Sequence, residues 1–174
     1  MTKPTIGVER FIIRAHHEWA FVYIDETTGM FACYSSFGSY NYCWNHIGTQ
    51  TLKEFLLDLD FDYFMTKTRG VAYKQFSADE TIKSVRQYII ECRRDGSLTK
   101  AAARACWTDL IDLVGQTPHE FFEEFCASQP LMDLYGGDYY DVAREAPTGN
   151  AKGFWEKIWP ALLIQLRDAI NHQI

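Results

Sequence analysis

The chain has 174 residues, 23 Asp/Glu against 17 Lys/Arg, a formal net charge of −6, 47% hydrophobic residues and 16% aromatics. One domain of this size buries a self-sufficient core, and the acidic balance weighs against direct nucleic-acid binding, which normally needs a basic face. No stretch approaches the roughly 18 apolar residues of a membrane span, MTKPTIGVERF has no apolar run of the signal-peptide kind, and five scattered cysteines suit reduced thiols in a cytoplasm.

Four β-rich runs come first, at about 6–14, 18–25, 29–35 and 39–45, each rich in β-branched or aromatic residues and bounded by short turns. Short connections favour an antiparallel meander. Alternation puts Trp19, Phe21 and Tyr23 on one face of the second run and Tyr40, Tyr42 and Trp44 on one face of the fourth. One sheet face must cover helices, and the other is expected to be partly exposed and aromatic. Cys33 and Cys43 read as free thiols on neighbouring strands.

From Thr51 the period becomes helical. Leu52, Phe55, Leu56, Leu59, Tyr63 and Phe64 share a stripe, with Thr51 and Glu54 as a capping box. Ser77 and Glu80 open a second helix at about 78–94, ended by Arg93-Arg94-Asp95-Gly96. A third is expected over 99–114, stopped by Gly115, and Thr117-Pro118-His119-Glu120 opens a fourth to about 127. Residues 129–150 read as loop around Gly136-Gly137, and a last helix is expected over 152–172, with Pro160 inside it. The expected fold is therefore α+β: a four-stranded antiparallel sheet over 1–48, packed against about five helices over 49–174, as a single domain.

Charge is uneven along the chain. Residues 67–104 hold nine Lys/Arg against four Asp/Glu (+5), whereas 105–145 hold nine Asp/Glu against Arg144 alone (−8). An acidic lobe of this kind can dock on a basic partner, including one that grips nucleic acid. The residues expected to carry it are Asp109, Asp112, Glu120, Glu123, Glu124, Asp133, Asp138 and Asp141, with Tyr139 and Tyr140 as aromatic anchors beside the glycine pair. The alternative is that the two lobes lie side by side and neutralise each other.

Catalytic and metal signals are weak. No two of His16, His17, His46, His119 and His172 stand at i, i+4, there is no CxxC pair, and no GxxxxGK[ST] or GxGxxG loop occurs, so neither metal nor cofactor is expected. Asp58 and Asp62 at i, i+4 read as a solvated face rather than an acid–base pair. Cys106 and Cys126 read as inert thiols.

SSFGSYNYCWNHIGTQTLKEFLLDLDFDYFMTK, with its Ser36–Trp44 strand motif and the Phe55, Leu56, Leu59, Tyr63 helix, resembles a family of small proteins encoded by tailed bacteriophages and prophages. YIIECRRDGSLTKAAARACW at 88–107 is similar too, so the resemblance spans about 6–110. It implies a non-enzymatic interaction protein that binds a host protein or nucleoprotein complex, for example as an anti-CRISPR inhibitor; it transfers no catalytic role to any residue. Direct binding of single-stranded nucleic acid is the alternative, with bases stacking on Tyr40, Tyr42 or Trp44 beside Arg93 and Arg94. An enzyme of another type, built around His46 or Asp58, is a third reading, and the aromatic excess leaves room for a homodimer.

Overall fold

A computed structural model describes residues 7–115, 117–136, 139 and 141–172. The elements are β1 Glu9–Ala15, β2 Glu18–Asp25, β3 Met30–Ser35 and β4 Gly38–Cys43, then helices α1 Leu52–Leu57 and α2 Phe61–Arg69. β5 Lys74–Phe76, α3 Ala78–Asp95, α4 Lys100–Ile111, α5 Pro118–Ala127, α6 Gln129–Leu134 and β6 Glu145–Pro147 follow. The chain closes with α7 Gly149–Gly153, a π-helical turn Phe154–Ile158 and α8 Trp159–Asn171. This is the α+β class expected. It forms two compact units, one from the chain's two ends (to Tyr73, and from Pro147) and one from Lys74–Ala146.

The first unit is the meander β1-β2-β3-β4 with α1, α2, α7 and α8. Its register (Phe11↔Val22, Val22↔Cys33, Cys33↔Tyr40) sets Ile13, Ala20, Val22, Ile24, Phe31 and Tyr40 on the helix-covered face. Much of the aromatic excess is spent there. Phe64 stacks on Phe154 at 5.7 Å and meets Trp159 at 4.4 Å, and Tyr40 stacks on Phe154 at 4.0 Å. Such pairs add about 0.5–1.5 kcal/mol each beyond area burial.

Three local features differ from the periodicity. The helix expected through 51–64 is two helices, because Asp60 accepts a bond from the Tyr63 amide and caps α2. Asp58 therefore caps the C-terminal end of α1 while Asp62 lies in the first turn of α2, and Asp62 accepts from the Tyr73 hydroxyl at 3.0 Å. Within 129–150, Ser128 caps α6 and Pro130 falls in its first turn, so this stretch is partly helical. The last helix begins at Gly149, and the Trp159 amide reaches back to the Phe154 carbonyl. That wider turn precedes Pro160, which lacks the N–H needed to continue the ordinary ladder.

In the second unit Val85, Ile89, Cys106, Leu110, Phe121, Phe125 and Leu131 form one core. Ser77 caps α3, Gly96 at φ 85° ends it in the left-handed region, and Thr99 caps α4 three residues later. Gly115 is required for a close approach: a Cβ there would stand 2.4 Å from the Phe121 amide nitrogen.

Candidate functional site

The described acidic candidates between Asp109 and Asp141 divide into two groups. Asp109 accepts from the Ser128 hydroxyl at 2.5 Å, tying α4 to the cap of α6. Glu124 accepts from the Val114 and Gly115 amides at 2.8 and 3.0 Å, and Glu120 closes the capping box with Thr117. These three carboxylates hold the scaffold. Asp112, Glu123, Asp133 and Asp141 are exposed. Glu123 lies 3.4 Å from His119, and Asp133 accepts from Gln129 at 2.6 Å. Among the described residues, none of the four is ion-paired with a Lys or Arg. Ile111 and Val114, 63% and 68% exposed, flank Asp112 with apolar surface. Tyr139 is half-buried and packs on Phe122 at 6.1 Å, so it folds back toward the core. Asp138 and Tyr140 lie outside the described residues.

The basic segment makes a different surface. The short turn after Gly96 brings α3 and α4 together, leaving between them a groove of about 400 Å³ with Ile89, Ile90, Ala103 and Trp107 as its apolar lining. Arg93, Arg94, Lys100 and Arg104 complete its lining. Arg93 donates to the Leu98 carbonyl and is held to the turn. Arg94, Lys100 and Arg104 are exposed and have no carboxylate partner among the described residues. Arg86 lies with its guanidinium carbon 5.5 Å from the Trp107 ring centre.

In the first unit the outer sheet face carries Ile12, Trp19, Phe21, Tyr23 and Tyr34 with Arg10 and Arg14. Tyr34 is 58% exposed, and the Trp19 ring touches Phe21 and Tyr34 at 5.4 and 5.2 Å. Tyr40 and Trp44 are buried on the opposite face and Tyr42 is half-buried there. The stacking positions Tyr40 and Trp44 are therefore corrected: bases cannot reach rings covered by Phe64 of α2, Phe55 of α1 and Phe154 of the π-helical turn, and the accessible aromatics are those of β2 and β3. Register decides this, since one position along β4 exchanges its faces.

Chemistry at the remaining candidates is unremarkable in its electrostatics. Burial pushes the Cys33 thiol up to about 12 and raises that of Cys106, the reverse of what a nucleophile requires. His46 and Asp58 are exposed. Among the described residues there is no group of three or more His, Cys, Asp or Glu side chains that could hold a metal ion, and no helix long and apolar enough to cross a membrane.

These features define an α+β protein whose distinctive parts are three surfaces: an acidic set, a basic groove and an aromatic sheet face. The chain belongs to the phage family Phage_phiTE_072, whose sequence pattern matches residues 1–168. That match runs through the acidic segment and most of α8, beyond the 6–110 span of the resemblance, so the C-terminal half also belongs to the family pattern. No curated protein and no solved structure matches the chain.

Proposed function

We propose that this phage protein is a non-enzymatic interaction protein that acts in the bacterial host cytoplasm, binding and inhibiting a host defence or nucleic-acid-handling complex. A CRISPR effector is one such complex. The observation that carries the reading is the exposed carboxylate set Asp112, Glu123, Asp133 and Asp141, which no Lys or Arg among the described residues neutralises. Surface carboxylates without a Lys or Arg partner supply steering charge for a basic partner, and exposed Ile111 and Val114 beside Asp112 in the chain supply an apolar contact. The contact set is smaller than the charge count of 105–145 suggests, because Asp109, Glu120 and Glu124 are occupied within the fold.

The test is affinity capture from host lysate with wild type and with Asp112→Lys/Glu123→Lys/Asp133→Lys. A nucleic-acid-binding protein or nucleoprotein complex should be retained by wild type and lost with the triple variant. Equal retention by a correctly folded triple variant refutes the acidic docking surface. A second reading, direct binding of single-stranded nucleic acid, is favoured by the outer sheet face, where Tyr23 and Tyr34 are exposed between arginine-bearing β1 and the rest of the sheet. A gel shift lost on Tyr34→Ala, in a protein whose captured partner is unaffected, would select it.

A further inference from the structure

The groove between α3 and α4 has an apolar lining, and neither reading above uses it. We propose that it is a docking site for an acidic protein segment bearing a bulky apolar anchor. The inference is independent of the acidic-surface reading.

Chemistry of the floor chooses the class of occupant. Ile89, Ile90 and Trp107 offer aliphatic and aromatic contact, the other side chains of the lining are Ala103 and four cations, and none of the eight supplies a hydrogen-bond acceptor. A base placed there would find donors in the cations but no side-chain acceptor for its own N–H groups, which is costly. A Leu, Phe or Trp side chain incurs no such cost and gains the full benefit of leaving water. The basic part of the lining then selects charge: Arg94, Lys100 and Arg104 are exposed cations without carboxylate partners among the described residues, so acidic residues flanking the anchor meet guanidinium and ammonium groups still available for pairing. A volume of about 400 Å³ falls within the range of real ligand sites. The walls are two consecutive helices, and a trough between helices is the geometry in which an amphipathic segment lays its apolar face. Arg86 over the indole further fixes the Trp107 ring as one wall.

The experiment uses the full chain and four probes at one ionic strength: a short labelled peptide with Leu and Phe set among Glu and Asp, the same peptide with both anchors changed to Ser, a poly-Glu peptide, and oligo(dT). The anchored acidic peptide should bind, as read by the fluorescence anisotropy of its label. Its affinity should fall at least about tenfold with Arg94→Glu/Arg104→Glu and with Trp107→Ser, and decline with salt. Asp112→Lys/Glu123→Lys/Asp133→Lys should not weaken that affinity, which separates failure here from failure of the acidic-surface reading. Arg94 and Arg104 are exposed, and an unchanged circular dichroism spectrum shows that their variants fold. Three results overturn the proposal. Poly-Glu or the Ser-substituted peptide binding as tightly as the anchored one would show that the floor is unused. Tighter binding of oligo(dT), abolished by the same arginine variants, would make the site one for nucleic acid. Self-association in sedimentation that the arginine variants abolish, with no peptide binding, would make the occupant a second copy.

Discussion

Lys53 should be the most costly single charge to remove from this protein. It is 1% exposed on α1, with Nζ 2.5 Å from Glu9 on β1 and 4.0 Å from Glu26 in the β2–β3 turn. Glu26 also accepts from the Leu52 and Lys53 amides at 2.5 and 3.2 Å, so one carboxylate both pairs the lysine and caps its helix. Removing one partner of a buried pair costs about 3–5 kcal/mol, because it strands the other charge. Here Glu9 is 27% exposed and Glu26 keeps two amide donors, so each stranded carboxylate is partly compensated. The expected cost of Lys53→Met is therefore at the lower end, about 3 kcal/mol. Adding Glu9→Gln should recover about 1 kcal/mol, a non-additivity expected of residues in contact. Trp19, Trp44, Trp155 and Trp159 all belong to the first unit, so tryptophan fluorescence during urea unfolding reports mainly on it. A Lys53→Met protein as stable as wild type, or strictly additive double-mutant data, would refute the argument.

Three further outcomes follow from the contacts. Gly29→Ala should cost more than about 2 kcal/mol, since φ is +68° and the added Cβ would lie 2.1 Å from the Trp44 carbonyl oxygen; a midpoint shift in urea checks it. In native protein Cys43 and Cys126 should react with a thiol reagent while Cys33 does not; the Cys33 thiol is raised from 9.0 to about 12, so the folded state favours the proton and stability should fall as pH rises from about 9 toward 12, less steeply in Cys33→Ala. Glu120→Lys/Glu124→Lys should lower the melting temperature, through loss of a capping box worth about 1 kcal/mol and of the Val114 and Gly115 acceptor, whereas Asp112→Lys/Glu123→Lys should not.

What was legible in the sequence is what local chemistry decides. The four strands follow from alternation and turns of two or four residues, and Thr51/Glu54 and Thr117/Glu120 form both arms of their capping boxes. Ser77 receives the Glu80 amide as expected, but the Glu80 side chain faces Lys83. The break between α1 and α2 was hidden because Leu56, Leu59 and Tyr63 keep helical spacing across it; Asp60 three residues before Tyr63 is the signal that marks it. Ser128 followed by Pro130 was an equally readable start for α6. The roles of individual carboxylates were not legible. Glu124 meets its amides ten residues back and Asp109 its serine 19 residues ahead, contacts that exist only once α4, α5 and α6 have packed. The basic groove was visible as four cations but not as a groove, because Ile89, Ile90 and Trp107 line one trough only through the pairing of α3 with α4.

Charge location, rather than net charge, is the quantity on which the acidic-surface reading turns. Three reversals at Asp112, Glu123 and Asp133 would move the net charge from −6 to 0, and a protein near neutrality associates and loses long-range steering whatever its docking face. Neutral substitutions separate the two effects. Asp112→Asn/Glu123→Gln/Asp133→Asn and, outside the acidic segment, Asp58→Asn/Glu156→Gln/Asp168→Asn both leave a net charge of −3 from the starting −6. All six positions are exposed, so neither set should disturb the core. Weakened partner capture confined to the first set, with the difference shrinking as salt screens beyond a Debye length of about 8 Å, is the outcome expected of a local docking face. Equal weakening by both sets would mean that the partner responds to overall charge, and Asp112, Glu123 and Asp133 would then have no special place in the interface.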